Sequence, residues 1–235
     1  MGKGDRIPTG ISGFDALIDG GFVPDSFNLV TGGTGTGKTI FSLQFAHNSI
    51  KSGQKVLFIT FEENVDALIG DAAEFGWDFS DHSQKEKCFF VSLKPLSNPN
   101  YPDEFAKIIK KNSVKIVVID SVSVLSMVFQ GNFYKMRREM YLLTDLLRAL
   151  RCTTVATAEV EGEASLDVTS SNKLSRDGVV EFIADAVITM HNAGIGGEAD
   201  RAIRVLKMRR TPHEKSPVPM KITNKGLVVL KDKGF

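Results

Sequence analysis

The chain has 235 residues, with 29 Lys and Arg against 28 Asp and Glu, for a formal net charge of +1. With 42% apolar and 24% charged residues it is too hydrophobic and too nearly neutral to be a disordered chain. Apolar runs such as Ile116–Ile119 are far too short to span a membrane, and no apolar stretch follows Met1–Arg6 to form a secretory signal. The two cysteines, Cys88 and Cys152, form neither a disulfide framework nor a zinc motif, so a cytoplasmic location is expected.

Taken in chain order, short β-branched and aromatic runs alternate with helical patterns. Phe27–Thr31 reads as a strand, followed by a helix over Thr39–Lys51 that carries Ile40, Phe41, Leu43 and Phe45 and stops at Gly53. Lys55–Phe61 is the second strand, and Val65–Phe75 a helix with Leu68, Ile69, Ala72 and Ala73 on one face. Strand Cys88–Leu93, helix Tyr101–Asn112 and strand Val114–Asp120 follow. In the helix Tyr134–Arg151, the stripe Met136, Met140, Leu143, Leu147 and Leu150 is read as core packing. Thr153–Ala158 and Ala186–Met190 complete the alternating part. From Asp200 onward the pattern becomes strands joined by turns: Arg201–Met208, Val218–Thr223 and Leu227–Leu230. The expected fold is α/β, a mostly parallel central sheet with helices on both faces and an antiparallel β extension at the C-terminus, in one domain over residues 1–235.

The strongest chemical signal is Gly32-Gly33-Thr34-Gly35-Thr36-Gly37-Lys38-Thr39, which fits GxxxxGK[ST] between a strand and an amphipathic helix. Glycines let the backbone curl with its N–H groups turned inward around phosphates, and the helix start adds further N–H groups and a positive dipole end. The loop from Gly33 to Thr39 is therefore the expected ATP site, with Lys38 on the β- and γ-phosphates and the Thr39 hydroxyl on Mg²⁺. A second metal-holding group is expected at Asp120, which ends the apolar strand Ile116–Asp120. Thr60-Phe61-Glu62-Glu63-Asn64 closes an intervening strand, making Glu62 the candidate general base and Glu63 its acidic neighbour. The same stretch also reads as an acidic first helical turn capped by Asn64. Thr157 and Glu159, at the end of the strand after Asp120, are candidates for sensing the γ-phosphate. His47, His82, His191 and His213 are scattered and make no metal motif, and Trp77 reads as a packing residue.

With these motifs in place, the chain resembles a KaiC-type ATPase of the RecA superfamily. The lead-in Pro8–Gly21 matches TGxxGxDxLxxGG, Phe75-Gly76-Trp77-Asp78 is a turn typical of the family, and Val205–Thr211 matches V-x-K-M-R-G-T with Arg210 in place of glycine. The resemblance implies a homohexameric ring with ATP at each subunit boundary, where Lys207 and Arg209 reach the neighbour's γ-phosphate in trans. It also allows other readings. In a recombinase-like DNA-binding ATPase the loops Ser126–Arg138 and Glu161–Glu181 would contact DNA, but the second carries Glu161, Glu163, Asp167, Asp177 and Glu181 against only Lys173 and Arg176. Phosphate-backbone binding needs cations, so tight nucleic-acid binding is not expected. In the family's autokinase domain a Ser-Thr pair precedes an aspartate by four and three residues; here Glu181 and Phe182 precede Asp185, so self-phosphorylation there is not expected. A third reading is a signalling scaffold whose assembly ATP controls. Residues 198–235 carry ten Lys and Arg against four acids, leaving an acidic body, a division that suits head-to-tail self-association.

Overall fold

A computed structural model describes residues 5–84, 87–95, 100–129, 132–160, 178–192 and 200–230. Most of the acidic loop expected after Glu159, residues 161–177, lies outside the described residues, as do the terminal residues Lys231–Phe235.

The chain enters through the lead-in segment, where the carboxylate of Asp15 accepts hydrogen bonds from the Thr9 N–H (2.9 Å), the Thr9 hydroxyl (2.7 Å) and the Gly10 N–H (3.3 Å). This closes a tight knot around a 3₁₀ turn at Asp15–Leu17. Gly13 has φ +79, and a Cβ there would strike the carbonyl of Val229, so the knot can sit directly against the last strand. Burial pushes the Asp15 carboxyl above its ordinary value, against the hydrogen bonds from Thr9 and Gly10.

Strand β1 (Phe27–Gly32) follows, buried along its whole length, and runs through the phosphate loop into helix α1 (Lys38–Lys51). Next come β2 (Val56–Thr60), α2 (Val65–Glu74), α3 (Phe79–Gln84), β3 (Cys88–Ser92), α4 (Tyr101–Asn112), β4 (Ile116–Asp120), α5 (Val124–Val128), α6 (Phe133–Ala149) and β5 (Thr153–Glu159). The chain continues through α7 (Val180–Ile183), β6 (Ala186–Asn192), β7 (Arg201–Met208), β8 (Val218–Thr223) and β9 (Gly226–Val229). These form a nine-stranded sheet in the order β3-β2-β4-β5-β1-β6-β7-β8-β9. The strands from β3 to β6 in that order pair in parallel, and β7, β8 and β9 continue the sheet antiparallel.

One core lies between the sheet and α1, where Phe14, Phe22, Phe41 and Phe45 pack mostly edge to face, the Phe14–Phe41 centroids being 5.4 Å apart. The other lies against α4 and α6, and the expected stripe Met136, Met140, Leu143 and Leu147 is buried there, with Leu150 partly buried beside it. The fold thus has the expected class. Strands β7 and β8 have the expected ends, and the others shift by one or two residues. The expected start of β4 at Val114 moves to Ile116 because the Val114 N–H closes the preceding helix on Ile109 O. Ala73, expected on the buried face of α2, is exposed. Helices α3, α5 and α7 and the 3₁₀ turn are too short to show a 3.6-residue period.

Candidate nucleotide site

The carboxyl ends of β1, β2, β4 and β5 finish side by side: Thr60 pairs with Asp120, and Gly32 with Glu159. In an open parallel sheet the crevice beyond those ends takes ligands. Here it is a cavity of about 300 Å³, lined by Thr34, Gly35, Gly37, Lys38, Thr39, Ile40, Glu62, Glu63, Asp120, Ser121, Glu159 and Ile222.

The phosphate loop is held by its own side chains. Thr36 Oγ1 donates to Gly33 O at 2.9 Å, so Thr36 and Gly33 brace the curl and do not line the cavity. Gly35 and Gly37, at φ +72 and +102, take the left-handed turns that lead into α1. Lys38 Nζ donates to the carbonyls of Gly32 (3.0 Å) and Gly33 (2.9 Å). Burial lowers its pKa, against the pull of Glu159, Asp120 and Glu62. Arg201, which the sequence did not single out, donates from Nη1 to Gly35 O at 2.6 Å.

Asp120 lies at the centre of the carboxylates. It accepts hydrogen bonds from the hydroxyls of Thr157 and Thr39. Burial raises its pKa, and these bonds and Lys38 oppose the rise. Thr157 is therefore a partner of Asp120 rather than a residue facing the cavity, whereas Glu159 lines the cavity and anchors its own N–H on Ser123 Oγ at 2.7 Å. Thr39 and Asp120 offer hard oxygen donors side by side, the donor set that suits Mg²⁺.

Glu62 stands on the cavity wall with Oε1 accepting from Ser121 Oγ at 3.1 Å. Its pKa is raised, first by burial and then by Glu159 and Asp120, against Ser121 and Lys38. Glu63 is raised as well, by burial and then by Asp120, Asp71 and Glu62. The two glutamates are presented by a turn in which the Glu63 N–H donates to Thr60 Oγ1 (2.9 Å), while Asn64 caps α2 by accepting from the Asp66 N–H (2.8 Å). Asn64 thus makes the expected cap, and both glutamates line the cavity beside it.

Lys207 and Arg209 are not in this cavity. Lys207 pairs with Val187 and so lies level with Leu29, three residues or about 10 Å below Gly32. Its Nζ donates to Ala184 O (2.7 Å) and Glu181 O (3.2 Å). Arg209 lies just beyond the end of β7, with its N–H on Asp185 O (2.9 Å). Arg210, at the position of the motif's glycine, adopts φ +60, a left-handed conformation that glycine enters at no steric cost.

Sequence reasoning missed Ile222 and assigned no site role to Ser121. Ser121 was visible as the residue after Asp120, but Ile222 reaches the cavity only because the C-terminal hairpin folds over Gly37, a contact no local pattern encodes.

A strand, a glycine loop, a lysine at a helix start and carboxylates on neighbouring strand ends define a phosphate-loop nucleotide-binding protein. The family described as "ATPase: KaiC" matches residues 7–234, and the chain belongs to it. The "Circadian clock oscillator protein KaiC" of Prochlorococcus marinus subsp. pastoris is 34% identical, covering 95% of this chain and 45% of that protein. The "Circadian clock protein KaiC3" of Synechocystis is 33% identical over 96% of this chain and 46% of its own length. The chain thus spans about half the length of the curated relatives it matches. The crystal structure of a KaiC-like protein from Pyrococcus horikoshii OT3 superposes with a TM-score of 0.83 at 33% identity, covering 96% of this chain and 99% of that one. Among the described residues, no helix is long and apolar enough to cross a membrane.

Proposed function

We propose that this chain is a slow ATPase acting as a single KaiC-type unit in the cytoplasm, assembled head to tail as a homohexameric ring with ATP at each boundary. The observation that carries the reading is the convergence of the phosphate loop, Thr39, Asp120 and Glu62 on one cavity. Thr34, Gly35, Gly37, Lys38 and Thr39 bind the triphosphate in a loop braced by Gly33 and Thr36, with Lys38 transferring its ammonium from loop carbonyls to phosphate oxygens. Thr39 and Asp120 hold Mg²⁺, which supplies charge neutralisation at the phosphates. Glu62, oriented by Ser121, accepts the proton of the attacking water. Glu63 tunes it as a neighbouring charge, and Glu159 is well placed to respond to the γ-phosphate.

Lys207 and Arg209 complete a neighbour's site in trans. Their place near the amino edge of the parallel strands supports this, since their side chains turn away from the chain's own phosphate loop. Self-phosphorylation at the α7–β6 corner does not occur, because Glu181 and Phe182 offer no hydroxyl. Tight nucleic-acid binding is not part of the function.

The test measures mass in solution and ATP turnover together. Lys38→Ala is expected to abolish ATP binding, and Arg209→Ala to retain binding while losing about 10³-fold in turnover. Mixing the two variants should restore part of the turnover, since each supplies what the other lacks. Full turnover by Arg209→Ala alone overturns the trans assignment.

A further inference from the structure

Behind Lys207 and Arg209 lies a charge cluster that the phosphate cavity does not use. The carboxylate of Asp185, at the corner between α7 and β6, divides its two oxygens. Oδ2 accepts from the Phe27 N–H at 3.0 Å and from Arg148 Nη2 at 2.9 Å. Oδ1 lies 3.5 Å from Arg209 Nη1. The main chain repeats the link, with the Arg209 N–H donating to Asp185 O at 2.9 Å. Asp185 is thus tied to the first residue of β1 and to helix α6, and through both its side chain and its backbone to the cation offered outward.

We propose that Asp185, held by Arg148, is a positioning residue that sets Arg209 for the triphosphate of a neighbouring copy. The inference rests on the trans reading above and goes beyond it by naming what orients the exposed cation. Three cations, Arg148, Lys207 and Arg209, converge on this corner, and like charges so placed drive one another apart. The Lys207 pKa is lowered, first by burial and then by Arg209, while Asp185 and Glu181 oppose the fall. Asp185 stays ionised. Burial would raise its pKa, but the Phe27 N–H, Arg148 and Arg209 outweigh burial and hold it below the ordinary value. Lys207 is fixed by two carbonyls at the end of α7, whereas Arg209 is 54% exposed and has Asp185 as its anchor. A guanidinium carries five N–H donors, so Oδ1 engages one corner and leaves donors for phosphate oxygens. Removing the anchor frees a long side chain to sample many rotamers, and a cation must be in place when charge develops at the transition state.

The experiment is a double-mutant cycle on ATP turnover by the full chain, with Asp185→Asn, Arg148→Gln and Arg209→Ala singly and combined. Asp185→Asn keeps an acceptor for the Phe27 N–H and removes the charge. It is expected to lower kcat about tenfold while leaving KM for ATP within about twofold. Arg148→Gln, which leaves Asp185 in place, is the second variant, with an expected loss of about threefold. In the Arg209→Ala background neither change should cost anything more, because both act through Arg209. A merely structural role would instead multiply the losses, and that result overturns the inference. So does unchanged kcat in Asp185→Asn alongside an impaired Arg209→Ala, which leaves the trans reading intact. Full turnover in Arg209→Ala overturns the trans reading, and this inference falls with it.

Discussion

Replacing Glu62 by glutamine is expected to separate nucleotide binding from hydrolysis. The side chains are nearly isosteric, and a glutamine at 62 can still accept from Ser121 Oγ, now 3.1 Å from Glu62 Oε1. What disappears is the ability to take a proton. A positioned general base contributes about 10²–10⁴-fold, or about 3–5 kcal/mol of barrier, so kcat should fall by that factor while ATP affinity stays within about threefold. The pH profile adds an independent check. Burial, Glu159 and Asp120 raise the Glu62 pKa, so the acidic limb of wild-type kcat should lie above the ordinary glutamate value of 4.5, with activity lost as pH falls through it. A raised pKa in the folded state also means that ionised Glu62 costs stability at neutral pH. The glutamine variant should therefore unfold at a Tm equal to or above that of wild type. The assays are single-turnover phosphate release, equilibrium ATP binding and thermal unfolding of the same preparations, with Glu63→Gln as the comparison. Turnover by Glu62→Gln within about threefold of wild type would refute the assignment, and a large loss confined to Glu63→Gln would move the base to the next residue.

Two further predictions test the frame of the site. Gln44 on α1 donates to Gly10 O (3.2 Å) and Leu227 O (3.3 Å) and accepts from the Leu227 N–H (2.7 Å), tying the lead-in and the last hairpin to the helix that leaves the phosphate loop. Gln44→Ala leaves the two Leu227 groups buried without partners, at about 1–3 kcal/mol each. Urea unfolding should show a loss of about 2–6 kcal/mol, and a loss below about 1 kcal/mol would refute the count. Asp185 is expected to contribute to acid stability: with its pKa depressed in the folded state, the stability it contributes is present above the unfolded value of about 3.9 and lost as pH falls through the folded one. The stability gap between wild type and Asp185→Asn should accordingly shrink below about pH 4, and a gap that stays constant from pH 7 to 3 would contradict it.

The parts of the site that were legible in the sequence are those carried by contiguous residues. Gly32–Thr39 encode a strand exit, a curl and a helix start in one stretch, and Ile116–Asp120 encode a buried strand with one acid at its end. The antiparallel tail was legible for the same reason, because alternation and turn residues are local. What was not legible depends on neighbours in the sheet. Nothing in Thr157 or Ser121 shows that one braces Asp120 and the other Glu62, since both contacts cross between strands whose order only the folded sheet defines. The short helix α7 was illegible too, although its terminal carbonyls hold Lys207.

The direction of β7 gives these contacts a common logic. In a parallel sheet every strand delivers its C-terminal residues to the ligand crevice, so a seventh parallel strand would have brought its last residues to the chain's own phosphate loop. Because β7 runs antiparallel to β6, Arg201 at its start meets Gly35 of that loop, while Met208 at its end pairs with Ala186, at the opposite edge. Arg209 follows at the level of Phe27, five residues or about 16 Å below Gly32. β7 therefore brings Arg201 to the chain's own phosphate loop, while Lys207 near its end and Arg209 just after it lie toward the far edge. Under the proposed trans role, such a pair would act on the phosphates of another copy, and head-to-tail assembly would let every copy both give and receive it. In that proposed assembly the basic C-terminal segment would meet the acidic body, and raised salt should weaken any association so formed before it weakens the fold.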